Sequence, residues 1–294
     1  MSQPNGNSDI IARRYMDRLI IEERVLGSIQ PTTRVRFLGR ELEIPIMPAA
    51  LSFLKGGMAG YAEGARQAGA AVCIGMGHEQ ELEQCLQTGA QVIKIVKPYA
   101  DREETLRRIR YAEEHGAIAV GMDVGRAFKG DTPSFDTIHG YPMQLPTLDE
   151  LRAFISATRL PFFVKDVLSV RDALTARHLG AAGVIVGHHH NRMTWAPPPV
   201  YLIREIRKAV GKDLILIADG GIEDGYDAFK ALALGADMVS VGRSLMQPYE
   251  AEGPAGVAAK LRAMTTELAS IMYRTGSERV DSIDPGVIHE AWWM

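Results

Sequence analysis

The strongest constraint on the fold is an alternation of short apolar runs with helical segments, which repeats eight times along the chain. The runs show little polar alternation, which is typical of strands covered on both faces in a parallel sheet. They lie at residues 44–48, 71–74, 92–97, 117–123, 161–165, 181–186, 214–219 and 238–242. Eight such strand–helix units predict an α/β fold, a (β/α)8 TIM barrel.

The segments between the runs predict the helices. Several are followed by glycine, as is common at helix C-termini, and Thr147 with Glu150 forms a capping-box pattern. The predicted helices lie after Thr147 and at residues 61–68, 79–87, 102–114, 170–179, 200–210, 225–234 and 255–275. A doubly wound open sheet is the alternative, but Ala49-Ala50 follows the first strand where that fold carries a glycine-rich turn.

We therefore expect one domain over residues 1–294. Residues 1–43 are predicted to be an N-terminal extension that caps the barrel with a helix and a small hairpin. Residues 44–276 form the barrel and residues 277–294 a C-terminal tail.

Charge and composition exclude some function classes. The net charge of −3 over 294 residues gives no electrostatic case for binding nucleic acid or an anionic membrane. No apolar run approaches the roughly 18 residues that a membrane span requires, and the polar N-terminus does not resemble a signal peptide. We expect a cytoplasmic protein in which Cys73 and Cys85, both in apolar segments, are buried free thiols.

Polar residues stand where the predicted strands end, and the active site of this barrel lies at the C-terminal strand ends. Lys97, Asp123, Lys165 and Asp219 end the third, fourth, fifth and seventh strands. The sixth strand ends in Gly187-His188-His189-His190-Asn191-Arg192. Three imidazoles and a guanidinium are thereby aimed at the mouth of the barrel.

Two glycine-containing pairs predict a phosphate site. Gly220-Gly221 and Gly242-Arg243 follow the last two strands, which usually carry the phosphate site in these barrels. Their backbone N–H groups, the guanidinium of Arg243 and the start of a helix all favour an anion. We expect a phosphorylated ligand or cofactor.

These stretches resemble the FMN-dependent α-hydroxy-acid dehydrogenases and oxidases, which include lactate dehydrogenases and glycolate oxidases. The resemblance is clearest from Pro161 to Gly276 and weaker, but in register, from Ile44 to Asp123. The stretches that carry it are Phe163-Val164-Lys165, Gly183-Val184-Ile185-Val186 with His189 and Arg192, Ala218-Asp219-Gly220-Gly221, Ala231-Leu232-Ala233-Leu234-Gly235-Ala236-Asp237 and Val241-Gly242-Arg243.

The resemblance implies an FMN cofactor and a role for each matching residue. Lys165 matches the lysine at the flavin N1/O2 edge, His189 the general base and Arg192 the arginine that holds the substrate carboxylate. The other positions implied at the cofactor are Pro48, Ala49, Ala50, Gly75, Asp219, Gly220, Gly221, Gly242 and Arg243. Asp123 matches the acidic residue that ends the fourth strand and is expected to serve catalysis. The resemblance also implies a homotetramer.

The chain departs from the family at several of its contacts. Gly75, Ile95 and Gly121 replace a Ser, a Gln and a Thr that contact the flavin ring, and Glu223 replaces a phosphate-binding Arg. In the family loop Ser-Asn-His-Gly-Gly-Arg only the His and Arg remain. Lys97 replaces a substrate-binding Tyr, and we expect it to serve as an anion anchor.

Four functions follow from these residues. The first is an FMN-dependent oxidoreductase that oxidises a small anionic 2-hydroxy acid or related alcohol, with His189 as the base. The second is a flavin barrel with altered or non-redox chemistry, similar to the type 2 isopentenyl diphosphate isomerases. The third is a metal-dependent enzyme in which His188 and His190 bind a divalent ion with Asp123 or Asp219. The fourth is a barrel that only binds a ligand.

Overall fold

The computed structural model describes residues 6–51, 54, 56–130, 132–189 and 192–293. Within these ranges the strands are β1 (Leu19–Ile21), β2 (Val35–Phe37), β3 (Arg40–Leu42), β4 (Ile46–Pro48), β5 (Ala71–Ile74), β6 (Gln91–Val96), β7 (Ala119–Asp123), β8 (Thr137–Ile138), β9 (Tyr141–Pro142), β10 (Phe162–Lys165), β11 (Gly183–Val186), β12 (Ile215–Asp219), β13 (Met238–Val241) and β14 (Ile288–Glu290).

The helices agree closely with those expected from the sequence. They are α1 (Ser8–Arg18), α2 (Ala59–Gln67), α3 (Glu79–Gln87), α4 (Arg102–Glu114), α5 (Leu148–Ser156), α6 (Val170–His178), α7 (Pro199–Val210), α8 (Gly225–Ala233), α9 (Met246–Glu252) and α10 (Pro254–Arg274). The capping box of Thr147 and Glu150 begins α5. The short α9 was not expected, and Gly253, with φ +59°, separates it from α10. None of the helices in the described ranges combines the length and apolar composition that a bilayer crossing requires.

The predicted (β/α)8 TIM barrel is confirmed. All eight predicted strands join one parallel sheet in the order β4-β13-β12-β11-β10-β7-β6-β5, and β4 and β5 lie side by side to complete the circle. In the pairing of β7 with β10, Asp123 stands beside Lys165. This register places two of the expected site residues at one level of the barrel mouth.

Two apolar layers hold the barrel together. Within the ring of strands, one buried cluster fills the barrel and includes Met47, Cys73, Ile93, Phe163 and Ile217. Outside them, the strands pack against the helices in a larger cluster. Both cysteines are buried free thiols, as expected, and burial raises the pKa of each to about 12.

The N-terminal extension caps both ends of the barrel. The hairpin β2–β3 closes the N-terminal end, where the Phe37 ring centre lies 6.3 Å from that of Phe163. Helix α1 reaches the opposite end, where the Ser8 hydroxyl accepts a hydrogen bond from the Ala196 amide at 3.0 Å.

The tail also contributes structure that was not expected, because β14 pairs antiparallel with β1. The division into residues 1–43, 44–276 and 277–294 of a single domain stays a prediction.

Candidate active site

Asp123 lies at the centre of a buried charged cluster at the C-terminal strand ends. Its side chain is 1% exposed, and it accepts hydrogen bonds from the Lys97 ammonium and from Nε2 of His189, the latter at 2.7 and 2.9 Å. Burial alone would raise the pKa of Asp123, but the charges of Lys97 and His189 hold it well below its usual range. Asp123 is therefore a buried, ionised carboxylate in direct contact with the imidazole of His189.

Lys165 lies between two carboxylates. Its Nζ is 2.7 Å from Oδ2 of Asp219 and 3.1 Å from Oδ1 of Asp166, and its side chain is 5% exposed. Burial would lower the pKa of this ammonium, but Asp166 and Asp219 raise it well above its usual value. Lys165 is therefore a fixed positive charge at the barrel mouth.

Sequence reasoning missed Asp166. The Oδ2 atom of its buried carboxylate lies 3.1 Å from Nε2 of His189. Burial raises the pKa of Asp166. The signal that could have identified it is its place directly after Lys165, because a second charge in succession at the end of a buried strand is costly without a partner.

A cavity of about 520 Å³ opens beside this cluster. Ligand sites in proteins commonly enclose roughly 300–1,000 Å³. Nine of the expected site residues line the cavity: Ala49, Ala50, Lys165, His189, Asp219, Gly220, Gly221, Gly242 and Arg243. The structure thus brings together Lys165, His189 and the two glycine-containing pairs.

The far end of the cavity has the form of an anion cradle. Gly220 and Gly221 adopt φ values of +99° and +74°, which a residue with a side chain rarely adopts. Arg243 borders the cavity, and its guanidinium lies 3.2 Å from the Asp9 carboxylate on α1. The buried Ser244 hydroxyl, also at this end, has no hydrogen-bond partner among the described residues.

His188 also faces the cavity. Its side chain is 6% exposed, and neither ring nitrogen has a hydrogen-bond partner within the described ranges. The nearest carboxylate, Asp9, is 3.9 Å away, which is beyond hydrogen-bond distance. Burial lowers the pKa of His188. The neutral imidazole can donate or accept one hydrogen bond from a bound group.

Other lining residues were missed by sequence reasoning. Ser240, Ser244 and Gln247 lie within or after β13, and Lys260 comes from α10. Ser240, Ser244 and Gln247 lie within four residues of Arg243, so a search around that residue would include them. Lys260 has no such signal, because only the packing of α10 brings it to the cavity.

Arg192 lies outside the lining of the cavity. Its Nε donates to the Phe128 carbonyl at 2.9 Å, and its guanidinium also contacts Asp136 at 2.9 Å. It is therefore held by the loop that follows β7. To bind a substrate carboxylate it would exchange one of these partners.

Lys97 has a different partner from the one expected. Its side chain is 3% exposed, and its ammonium is bonded to Asp123. Because that pairing neutralises both charges, the geometry does not favour the anion-anchor role. It makes Lys97 the counter-ion that keeps Asp123 ionised.

Pro48 and Gly75 are also set back from the cavity. Pro48 pairs with Val241 within the sheet. The Gly75 carbonyl accepts a hydrogen bond at 2.6 Å from the ammonium of Lys94.

The geometry does not favour the metal hypothesis. His190 and Asn191 lie outside the described residues, and His188 is not among the described groups that could share an ion. That group is Asp123, Asp166 and His189, whose ligand atoms lie within 4.8 Å of one another. Lys97 and Lys165 already supply these carboxylates with the positive charge that a metal would bring.

A parallel barrel whose cavity joins a glycine-built anion cradle to a buried lysine and a histidine defines a class of enzymes that bind a phosphorylated cofactor. The family model described as FMN-dependent dehydrogenase matches residues 7–136 and 128–290. The chain belongs to the FMN-dependent dehydrogenase family.

Relatives with known names support this assignment. The chain is 28% identical to glycolate oxidase of Spinacia oleracea, over 95% of this chain and 87% of that protein. It is 42% identical to an L-lactate oxidase of Alicycliphilus denitrificans over 47% of this chain, a match that spans 38% of that relative's length. A solved structure of a mandelate oxidase variant with a monooxide FMN adduct has a TM-score of 0.87 at 28% identity, covering 98% of this chain and 93% of that one.

These findings confirm several expectations from the sequence. The resemblance to the FMN-dependent α-hydroxy-acid dehydrogenases and oxidases is confirmed, as are the oxidoreductase class and the FMN cofactor. The cavity fits such a cofactor, since its lining joins the backbone of Gly220, Gly221 and Gly242 to the cations Arg243 and Lys165.

Proposed function

We propose that this protein oxidises a small 2-hydroxy acid to the 2-oxo acid, with FMN as the electron acceptor and His189 as the general base. The observation that carries the proposal is the place of His189, which borders the cavity while its Nε2 is bonded to a buried carboxylate. Relatives named oxidases of glycolate, L-lactate and 4-hydroxymandelate support this substrate class.

The chain provides separate groups for the two ends of the cofactor. Gly220, Gly221, Gly242 and Arg243 would hold the phosphate, and Lys165 would face the ring as a cation. When bound, FMN takes up the two electrons and one of the two protons that the substrate loses. A buried cation beside the acceptor favours that transfer, because negative charge develops there.

His189 would take one of the two protons that the substrate loses. The resulting imidazolium would be stabilised by Asp123, whose charge Lys97 balances in the resting site. A positioned base typically accelerates such a step by about 10²–10⁴-fold. Arg192 would hold the substrate carboxylate with its planar fork in exchange for its contact with Asp136.

The phosphate end differs from the family pattern in its charges. Glu223 borders the cavity and would repel a phosphate, whereas Lys260 from α10 enters the same cavity with the opposite charge. We propose that Lys260 offsets Glu223, so that the cradle stays attractive to the phosphate.

The deciding experiment is identification of the cofactor and its reduction. The purified protein is expected to be yellow and to release FMN on denaturation. Its colour should bleach under anaerobic conditions with one or more acids from a panel of glycolate, L-lactate and mandelate. A colourless protein that takes up no added FMN would refute the proposal, and bound FMN that no 2-hydroxy acid bleaches would refute the substrate class.

Two further expectations belong to this proposal. We propose a homotetramer, as the family resemblance implies, and a cytoplasmic location. Light scattering on the eluted protein tests the first, and fractionation of cells that produce it tests the second. The substrate is expected to be a small anion.

A further inference from the structure

Asp166 differs from most buried residues in its backbone conformation and in its charge. Its φ of +71° lies in the left-handed region, which is unfavourable for a residue with a side chain. Its carboxylate is also buried, with a side-chain exposure of 6%. Residues that depart from local preferences at a cost in stability are concentrated at functional sites.

The surrounding structure provides room for this carboxylate. A Cβ on Gly125 would lie 2.2 Å from Oδ2 of Asp166, so a side chain at position 125 would occupy the place of that oxygen. Gly125 has no positive φ that would itself require glycine. The close approach of Asp166 is therefore the local reason for glycine at position 125.

The Asp166 carboxylate contacts two residues of the proposed reaction at once. One oxygen lies 3.1 Å from Nζ of Lys165, and the other lies 3.1 Å from Nε2 of His189. Asp123 contacts the same ring nitrogen, so two carboxylates meet one imidazole N–H. The charged groups around this point are Asp123, Asp166, Asp219, Lys97 and Lys165, with His188 and Arg192 on the same loop as His189.

We propose that Asp166 is a positioning residue that fixes the ring of His189 and offsets the charge of Lys165, and thereby sets how strongly the site favours the reduced cofactor. The part concerning the cofactor rests on the proposed function. The contact with His189 does not, because it is a feature of the chain alone.

Two variants remove the carboxylate without straining the backbone. Asp166→Asn keeps the shape of the side chain, and asparagine tolerates positive φ. Asp166→Gly suits that φ better than aspartate does. The matched control is Asp213→Asn, since the side chain of Asp213 is 79% exposed and its ion-pair partner is Arg177.

The first measurement uses the full chain without added FMN. The imidazole ¹⁵N and proton NMR signals of His189 should move in Asp166→Asn and stay in place in Asp213→Asn. Both Asp166 variants should melt at or above the temperature of the unaltered chain, because they lose a strained or buried charged residue. Unchanged His189 signals would overturn the proposal by showing that Asp166 does not contact the ring. Melting several degrees lower in both variants would overturn it in favour of a purely structural role for Asp166.

The second measurement uses the FMN-loaded protein. In Asp166→Asn the ratio of reduced to oxidised cofactor at a given potential should rise about tenfold, which is about 30 mV for a two-electron couple. The kcat should fall at least about tenfold with KM changed less than about threefold, because the base is no longer held in place. An unchanged potential together with an unchanged kcat would overturn the proposal. A chain that binds no FMN would refute the proposed function, and the NMR measurement would then still decide the role of Asp166.

Discussion

The two ends of the active-site cavity are built in different ways. At the proposed phosphate end, Gly220, Gly221 and Gly242 present backbone, and Arg243 is 55% exposed and pairs with Asp9 among the described residues. At the other end, Asp123 and Lys165 are almost fully buried, and Asp123 contacts Lys97 and His189 while Lys165 contacts Asp166 and Asp219. The proposed phosphate end presents hydrogen-bond donors to a ligand, whereas the charged side chains at the buried end are paired with one another before any ligand binds.

This difference predicts where substitutions act. Removing Lys97 at the buried end leaves the Asp123 carboxylate without this ion-pair partner in a medium that solvates it poorly, so stability and catalysis should both suffer. A change at the phosphate end should alter affinity for the cofactor and little else.

The largest effect is expected at His189. His189→Ala should lower turnover by about 10²–10⁴-fold, because the proton acceptor is lost. Bound FMN should remain near the amount in the unaltered chain, since the cradle is untouched. Steady-state rates with the best 2-hydroxy acid and the absorbance of the bound flavin check both points, with the exposed His178→Ala on α6 as control. A His189→Ala protein with normal turnover would rule out the assigned base.

Lys97→Met should destabilise the fold by about 3–5 kcal/mol, because Asp123 would keep a buried charge without its strongest partner. The effect should depend on pH. The folded pKa of Asp123 lies well below its unfolded value, so its contribution to stability is complete above about pH 5 and is lost as the pH falls. Urea unfolding at pH 7 and pH 4 should therefore show a smaller difference between the two proteins at pH 4.

The control for that comparison is Lys212→Met, since Lys212 is 74% exposed and its contact with Asp237 is 3.7 Å long. An exposed pair contributes about 0–1 kcal/mol. Equal destabilisation by the two substitutions would contradict the view that burial makes the Lys97 pair important.

Arg243→Ala should weaken FMN binding about 10- to 100-fold, because a charge-assisted hydrogen bond contributes about 1.5–3 kcal/mol. The melting temperature without FMN should hardly change. Fluorescence titration with FMN measures the first effect and calorimetry the second. Arg159→Ala, whose side chain is 94% exposed, is the control. Unchanged FMN affinity would show that the phosphate binds elsewhere.

The smallest effect is expected at Asp9. Asp9→Asn should tighten FMN binding less than about fivefold, since removing a partly exposed carboxylate 3.2 Å from Arg243 is worth about 1 kcal/mol or less. The same titration measures it, with Asp17→Asn on α1 as the control. Weaker binding in Asp9→Asn would mean that Asp9 helps to orient Arg243.

The two ends also differ in how well the sequence predicts them. Glycines and charges directly after apolar runs identify Gly220, Gly221, Arg243 and Lys165, because parallel strands in a barrel all end on one face. The sequence does not say which charges pair. The sequence predicts that Lys97 binds an anion, and it does not indicate the contact between Asp166 and His189.

The reason is that pairing depends on register and backbone conformation. Asp123 meets Lys165 because of the alignment of β7 with β10, and Asp166 turns toward His189 through a positive φ. Lys260 reaches the cavity only because α10 packs against the barrel. Such contacts join residues far apart in the chain, and a local pattern does not encode them.

The buried thiols make the chain a convenient subject for labelling. Cys73 and Cys85 are both inaccessible, and their high pKa values leave little thiolate, which is the reactive species, near neutral pH. Alkylating reagents should therefore spare the folded chain and modify it only when the barrel opens. A single cysteine introduced at an exposed position could then carry a fluorophore without replacing either native thiol, and the rate at which the native pair reacts would report how often the barrel unfolds.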